Sequence, residues 1–285
     1  MKSTIIKIKL SLLFKIIDIF LKPFKFIIEK LYLIHRKPFS QGYEFYKWKK
    51  INKFLDAKSK GINISGVNGL DERIVEYKWI FNELSKTKKN LKLLDAGSTI
   101  NFPDIINRIK KKYKITIQTL YPENYSFYDQ GISYVYEDLT KKIFKENSFD
   151  IITCISTLEH VGFDNSIYNY SKKISIKKKS ISYLKVIENI KHCLKKNGIL
   201  LLTIPYGRHQ KFETLQQFND KMVKKIIDKF KPQSKEISYT KYSYGTWKRC
   251  SKEECDKLNF NNYKGEESKD NLASARGVAL IKLVK

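Results

Sequence analysis

Cysteine is scarce: Cys154, Cys193, Cys250 and Cys255 are the four thiols of a 285-residue chain. Cys154 falls in a predicted strand and Cys193 near a predicted helix end, both as buried thiols, while Cys250 and Cys255 stand five apart with no second pair of metal ligands. This excludes a disulfide framework and a cysteine-based zinc site and fits a reducing compartment, so a cytoplasmic location is expected. Long uncharged apolar runs are also missing. Lys9, Lys15, Asp18, Lys22 and Lys25 interrupt the first forty residues, whereas crossing a bilayer takes roughly 20 consecutive apolar residues. The uninterrupted stretches are short and lack a small-residue cleavage site, so no signal peptide is expected. Acidic residues are half as common as basic ones, 29 against 56, leaving a net charge of +27. Such a balance invites nucleic acid or an anionic membrane as partner. The lysines, however, are spread along the whole chain, and runs such as Lys110-Lys111-Lys112 and Lys177-Lys178-Lys179 are too short to line a groove. Nucleic-acid binding is therefore not expected, and most of the charge is read as a solvated face.

What is present is a chain with 42% hydrophobic residues, enough for one large core plus an appendage. The appendage is residues 1–40. Between Ile5 and Lys22 the polar residues Lys7, Ser11, Lys15, Asp18 and Lys22 recur every three or four positions, which a helix gathers into one narrow stripe beside a wide surface of Ile, Leu and Phe. Pro23 ends that helix, and Phe24 to Ile34 starts a second. This amphipathic, basic arm has two destinations. It lies in the plane of the cytoplasmic membrane's inner face with its lysines on anionic headgroups, or it docks on the rest of the chain or on a partner. Residues 41–90 are read as a helical cover over a ligand pocket, with Asn68-Gly69 as a turn and Asp71-Glu72-Arg73 opening a helix through Trp79 toward Leu84.

From residue 91 the pattern alternates. Lys92-Leu93-Leu94 reads as a buried strand, Asp95-Ala96-Gly97-Ser98 as a tight turn, and Pro103 to Ile109 as the opening of a helix. Gly97 lets the backbone approach a ligand with no side chain between them. Asp95 is placed to accept hydrogen bonds from the loop's own backbone or from a ligand ammonium. Strands follow at Ile115 to Gln118, Ile132 to Tyr136 and Phe149 to Ile155. A helix from Ser180 to Leu194 stops at Asn197-Gly198 before the apolar run Ile199 to Ile204. Met222 to Phe230 reads as a helix, Ile237 to Tyr244 as a strand, and Val278 to Val284 as the last strand. Strands alternating with helices imply a Rossmann-like, doubly wound α/β sheet that opens its ligand crevice at the strand tips.

Four blocks in this order resemble the class I S-adenosylmethionine-dependent methyltransferases: Leu94-Asp95-Ala96-Gly97-Ser98; Glu137-Asp138-Leu139; Phe149-Asp150 through Leu158-Glu159-His160-Val161-Gly162; and Leu194 through Pro205-Tyr206-Gly207. The resemblance covers residues 65–285. Within that superfamily the chain is most similar to bacterial members associated with surface-glycan synthesis, which share the Asp71 to Tyr77 block, Leu120-Tyr121-Pro122-Glu123 and Ala273 to Val278. It implies a mainly parallel seven-stranded sheet and S-adenosyl-L-methionine as cofactor. It also implies Asp95, Ala96, Gly97 and Ser98 about the methionine portion, Asp138 on the adenine amino group and Leu139 against the adenine ring. Ser156 and Thr157 would flank the sulfonium, and Arg73 would pair with the methionine carboxylate. For Arg73 the alternative is an ordinary surface ion pair among Asp71, Glu72, Arg73 and Glu76.

The chemistry implied is attack of a nucleophile on a sulfonium methyl, which the protein serves by aligning the two. His160, with Glu159 beside it, is the candidate catalytic base, since imidazole titrates near neutrality; its alternative is a capping or packing histidine. Two departures stand out. Ser98-Thr99-Ile100-Asn101 replaces a richer glycine loop, and Thr119 ends the second strand where an acidic residue often holds the ribose, leaving Glu123 to reach back. A Glu-x-x-Glu-His metal motif is also broken, because Ser156 occupies its first position and only a distant carboxylate such as Asp164 could help, so no metal is expected. The acceptor region is placed at residues 206–265, with Tyr206, Tyr242, Tyr244 and Trp247 as a platform for a sugar ring. The expected reaction is O-methylation of a sugar or lipid-linked glycan intermediate. An RNA methyltransferase, one acting on a small lipophilic acceptor, and a noncatalytic binding module of the same fold remain alternatives.

Overall fold

A computed structural model describes residues 24–35, 41–56, 69–163, 181–260 and 274–285. Among the described residues there are ten strands: β1 (Leu91–Ala96), β2 (Tyr113–Thr119), β3 (Ser133–Tyr136), β4 (Phe149–Ile155), β5 (Leu194–Pro205), β6 (Gln210–Lys211), β7 (Gln216–Gln217), β8 (Ser234–Ser243), β9 (Thr246–Cys250) and β10 (Gly277–Val284). Eight of them make one sheet in the order β3-β2-β1-β4-β5-β10-β8-β9, and β6 pairs with β7 as a small hairpin. β1 through β5 run parallel, while β10 lies antiparallel between β5 and β8. The α-helices are α1 (Lys25–His35), α2 (Gln41–Asp56), α3 (Arg73–Ser85), α4 (Pro103–Ile109), α5 (Tyr183–Cys193), α6 (Asp220–Phe230) and the single turn α7 (Lys252–Cys255). This is the doubly wound architecture that the alternation implied.

The central strands are apolar on both faces, as parallel strands covered on two sides must be. In β1, Leu93 joins Ile115, Ile151, Ile74 and Ile105 in the core on one face, and Leu94 joins Ile152, Leu200, Leu202 and Ile187 on the other. α6 shows how a peripheral helix is held. Val223, Ile226 and Phe230 form one buried stripe at about 1.5–3 kcal/mol per side chain, and the Asn219 side chain caps the first turn by accepting from Met222 N at 3.1 Å.

Two boundaries differ from the sequence reading. β5 begins at Leu194 rather than at Ile199, because Leu194, next after the end of α5 at Cys193, is already extended and paired with Phe149; the register then shifts before Ile151 pairs with Ile199. The sheet has eight strands rather than seven, because Tyr244-Gly245, with φ of 49° and 77°, turns β8 back into β9. The first helix of the predicted arm lies outside the described residues. Its second helix is α1, which lies beside α2 with Lys49 on Glu29 at 2.8 Å. No helix among the described residues is long and apolar enough to cross a membrane.

Candidate active site

The chain order of the strands reverses between β1 and β4, since β2 and β3 lie to one side of β1 and β4 and β5 to the other. A doubly wound sheet opens at such a switch point, beyond the carboxyl ends of the strands. Here those ends carry Ala96-Gly97-Ser98 and Ser156-Thr157. The Gly97 backbone has φ of 117°, and a Cβ added to it would lie 2.1 Å from Thr157 Oγ1. Glycine is thus required both by conformation and by the side chain standing over it. Thr157 in turn donates to the Ile155 carbonyl at 2.9 Å.

Asp95 is fully buried and its two oxygens are used within the protein: Oδ1 accepts from Thr153 Oγ1 at 2.8 Å and Oδ2 from Ile100 N at 2.9 Å. Of its two possible sets of donors, the protein's own are in place, one from the loop and one from β4. Burial pushes its carboxyl up to about 7 despite both hydrogen bonds. The rest of the loop is held from outside. Ser98, at φ 62°, donates to Glu123, and Asn101 Nδ2 reaches the same carboxylate at 2.9 Å. Thr119 Oγ1 is 3.4 Å from it. Glu123 therefore does reach back across the end of β2. Asn101 is itself fixed by Tyr134 OH at 2.8 Å.

Asp138 and Leu139 follow β3. Asp138 Oδ1 accepts from Thr140 N at 2.7 Å, and the Leu139 carbonyl accepts from Asn189 Nδ2 at 2.9 Å. A cavity of about 20 Å³, the size of a single water, lies between this loop and α5, lined by Ala96, Gln118, Leu139, Phe144 and Asn189 among others. It brings together two of the residues expected at the cofactor, Ala96 and Leu139.

A buried polar cluster stands where the alternative reading of Arg73 had an ordinary surface ion pair. Glu76, in α3, is wholly buried and accepts from Ser156 Oγ and Thr203 Oγ1, each at 2.5 Å. Its other oxygen pairs with Arg73. Glu76, with Arg73 on its second oxygen, accordingly locks α3 to the tips of β4 and β5. Asp71 is buried too, accepting from Lys47 Nζ at 3.1 Å. Tyr77 OH and Thr99 Oγ1 complete the seam, donating to the Thr99 and Ile155 carbonyls at 2.7 Å each.

Beyond Ser156 a short 3₁₀ turn, Leu158–His160, carries Glu159 and His160. Glu159 is 4% exposed, its Oε2 has no hydrogen-bond partner, and burial holds its carboxyl up to about 8. Glu72 Oε2 is likewise buried without a partner, and its carboxyl is pushed up to about 7 by burial and by the charges of Asp71 and Glu76. His160 Nδ1 lies 2.8 Å from the Thr214 carbonyl. A carbonyl only accepts, so Nδ1 carries the proton of the neutral ring and Nε2 carries the lone pair. Burial lowers the histidine's pKa. No group of three metal-ligating side chains occurs among the described residues, and Asp164 lies outside them.

The expected aromatic platform is not formed. Tyr206, Tyr242 and Trp247 are 0, 5 and 2% exposed, and of the four only Tyr244 faces solvent. Trp247 instead donates to the Leu70 carbonyl at 3.0 Å and pins the segment entering α3, while Tyr206 bonds Asp256. Aromatics on strands that are covered by helices fill core, which outweighs their stacking potential.

No protein-family model and no curated protein matches the chain. Among solved structures it is similar to the N-methyltransferase NodS of Bradyrhizobium japonicum, bound to S-adenosylhomocysteine, at 10% identity over 84% of this chain and 98% of that one, TM-score 0.46. It is also similar to phosphoethanolamine N-methyltransferase 2 of Haemonchus contortus, at 16% identity over 86% and 57% of the two chains, TM-score 0.48. A third is 1,6-didemethyltoxoflavin-N1-methyltransferase of Burkholderia thailandensis, at 11% identity over 69% and 72%, TM-score 0.43. At these identities and scores the likenesses carry no argument about the chemistry of this chain.

Proposed function

We propose that this chain is an S-adenosylmethionine-dependent methyltransferase whose cofactor lies across the tips of β1, β3 and β4. The observation that carries the reading is the switch point itself, with a glycine at positive φ on the β1 tip and Ser156 and Thr157 on the β4 tip. The side chains present suit the cofactor's parts. Glu123 and Thr119 stand at the end of β2, where ribose hydroxyls need acceptors, Asp138 stands where an adenine amino group needs one, and Leu139 offers an apolar face. When bound, the cofactor supplies an electrophilic methyl group. The protein's task is alignment, exclusion of water and removal of the acceptor's proton, for which His160 Nε2 is the base. Calorimetric titration with S-adenosylhomocysteine tests the assignment. Native protein releases heat, Gly97→Arg does not, and Asp138→Ala binds at least about tenfold more weakly; equal binding by all three refutes it.

For the acceptor we infer a hydroxyl of a sugar or lipid-linked glycan intermediate, on the strength of the sequence resemblance and of α1. That helix exposes Phe24, Ile27 and Leu31 at 54, 53 and 49%, spaced to form one face, with Lys30 alongside. A solvent-facing apolar stripe edged by lysine suits the surface of an anionic membrane, where lipid-linked acceptors reside. Co-sedimentation with phosphatidylglycerol vesicles, lost on deleting residues 1–40, is the expected result; unchanged partitioning of the deletion removes the membrane assignment.

A further inference from the structure

We propose that Cys250 and Cys255 form a redox-active thiol pair, in which a small disulfide such as oxidised glutathione reacts at Cys250 and Cys255 then closes the bond within the protein. This site is independent of the methyltransferase reading.

The pair is built by the local sequence Cys250-Ser251-Lys252-Glu253-Glu254-Cys255. Ser251 caps α7: its Oγ accepts from Glu254 N at 3.2 Å, and Glu254 Oε2 accepts from Ser251 N at 3.0 Å. That reciprocal box fixes the angle at which β9 enters the helix. With the entry so fixed, the residue before the cap and the fourth residue of the helix pack on each other across the first turn. Those two positions are Cys250 and Cys255. The Cys255 amide closes the turn by donating to the Ser251 carbonyl at 3.2 Å.

The sheet holds both residues from the other side. Cys250 stands opposite Tyr239 in the β8–β9 ladder, and Cys255 Sγ lies 3.7 Å from the carbonyl of Thr240, the next residue of β8. Cys250 and Tyr239 pack against the same core cluster to which Cys255 belongs, so both sulfurs lie on one face of the sheet. The two thiols are hydrogen-bonded to each other. Cysteine side chains are short, so this contact brings the Cβ atoms near the separation that a disulfide requires.

The two thiols differ in kind. Cys250 is partly exposed, and the hydrogen bond from Cys255 lowers its pKa, with the charge of Lys241 acting in the same direction. Lys241 lies two residues along β8 from Tyr239 and therefore on the same face as Cys250. Cys255 is fully buried, and its thiol is held up by the bond to Cys250 and by burial. Exposure and thiolate character make Cys250 the attacking sulfur and Cys255 the resolving one. Burial raises Cys154 and Cys193 and leaves them protonated. In the first step the Cys250 thiolate attacks one sulfur of oxidised glutathione, breaking its S–S bond and releasing one glutathione thiolate. Cys255 then attacks the Cys250 sulfur, and its proton goes to the second departing glutathione. Two protein thiols are oxidised and one disulfide is reduced to two thiols, so the exchange balances and is reversible. Such a transient pair is compatible with a reducing compartment.

The test incubates the full folded chain with oxidised glutathione, alkylates the remaining thiols and reads intact and peptide masses. The expected product is a chain two hydrogens lighter with Cys250 linked to Cys255, from which dithiothreitol regenerates both thiols. Cys255→Ala cannot resolve and accumulates glutathione on Cys250, whereas Cys250→Ala reacts at Cys255 at least about tenfold more slowly than the native chain reacts at Cys250. Melting curves establish that each variant is folded, and Cys255→Ser replaces the alanine variant if that one is not. A native chain that keeps glutathione on Cys250 without closing the bond overturns the proposal. So does oxidation at Cys154 or Cys193 ahead of Cys250, or a folded chain that stays reduced where the same chain in urea is oxidised.

Discussion

Replacing Glu76 by alanine removes the one carboxylate that ties α3 to two strand tips at once. It accepts from Ser156 and Thr203 at 2.5 Å each and pairs with Arg73, with no exposure of its own. Hydrogen bonds to a buried charge contribute about 1.5–3 kcal/mol apiece, and stranding the partner of a buried ion pair costs about 3–5 kcal/mol. These effects share one group and do not add. Arg73 also keeps 27% exposure, through which water relieves part of its loss. The expected destabilisation is therefore about 3–4 kcal/mol, or roughly 10 °C in Tm for a chain of this size. Urea unfolding followed by far-ultraviolet circular dichroism measures it. The cause is isolated by a cycle with Thr203→Val, which alone should cost about 1.5 kcal/mol, while the double variant should cost less than the sum of the two. A loss below about 1 kcal/mol for Glu76→Ala, or strict additivity in the cycle, refutes the lock.

The remaining expectations follow from the same geometry. Gly97→Ala places a methyl on Thr157 and forces a left-handed φ on alanine, so it should lose at least about 2 kcal/mol. Adding Thr157→Ala should restore only part of that, because Thr157 Cβ also crowds the position and the φ is unchanged; full restoration contradicts the account. Glu159 and Asp95 hold carboxyls raised to about 8 and about 7. Because the native state then binds more protons than the unfolded one between about pH 4 and 8, stability is greatest at the acid end of that window and falls as pH rises through the raised values. Glu159→Gln should flatten the fall, and an unchanged slope in urea titrations at several pH values would exclude a buried Glu159 proton as its source. The depressed His160 pKa keeps the imidazole neutral below its ordinary 6.5. The acidic limb of the methyl-transfer rate profile should accordingly lie under that pH, and a limb above it rules out His160 as the base.

Much of the fold was legible because parallel strands buried on both faces must be apolar throughout. Leu93-Leu94, Ile151 to Ile155 and Ile199 to Ile204 are such runs, and each became a strand. β9 was missed because its signal is a two-residue turn of Tyr244-Gly245, where only the glycine is a usual turn former. At the β1 tip the sequence marked Gly97 as a place for bare backbone, and the fold sets the Thr157 side chain over it; Glu123, singled out by the absence of an acid at Thr119, bonds Ser98 and Asn101. The aromatic platform was not, since Tyr206 and Trp247 look alike in sequence whether they face solvent or core.

The order of elements, the strand-to-loop junction at Asp95 to Ser98 and the kinds of residue at each strand tip were set by local pattern: apolar runs, turn formers and spacing act over a few residues and need no partner. Which donors meet Asp95, and why Glu76 is interior, depended on residues that stand 80 and 127 positions away in the chain from Glu76, and 58 from Asp95. Burial and charge pairing are properties of neighbours in space. Only the folded sheet, by bringing α3 against β4 and β5, decided that Glu76 would be met by Ser156 and Thr203.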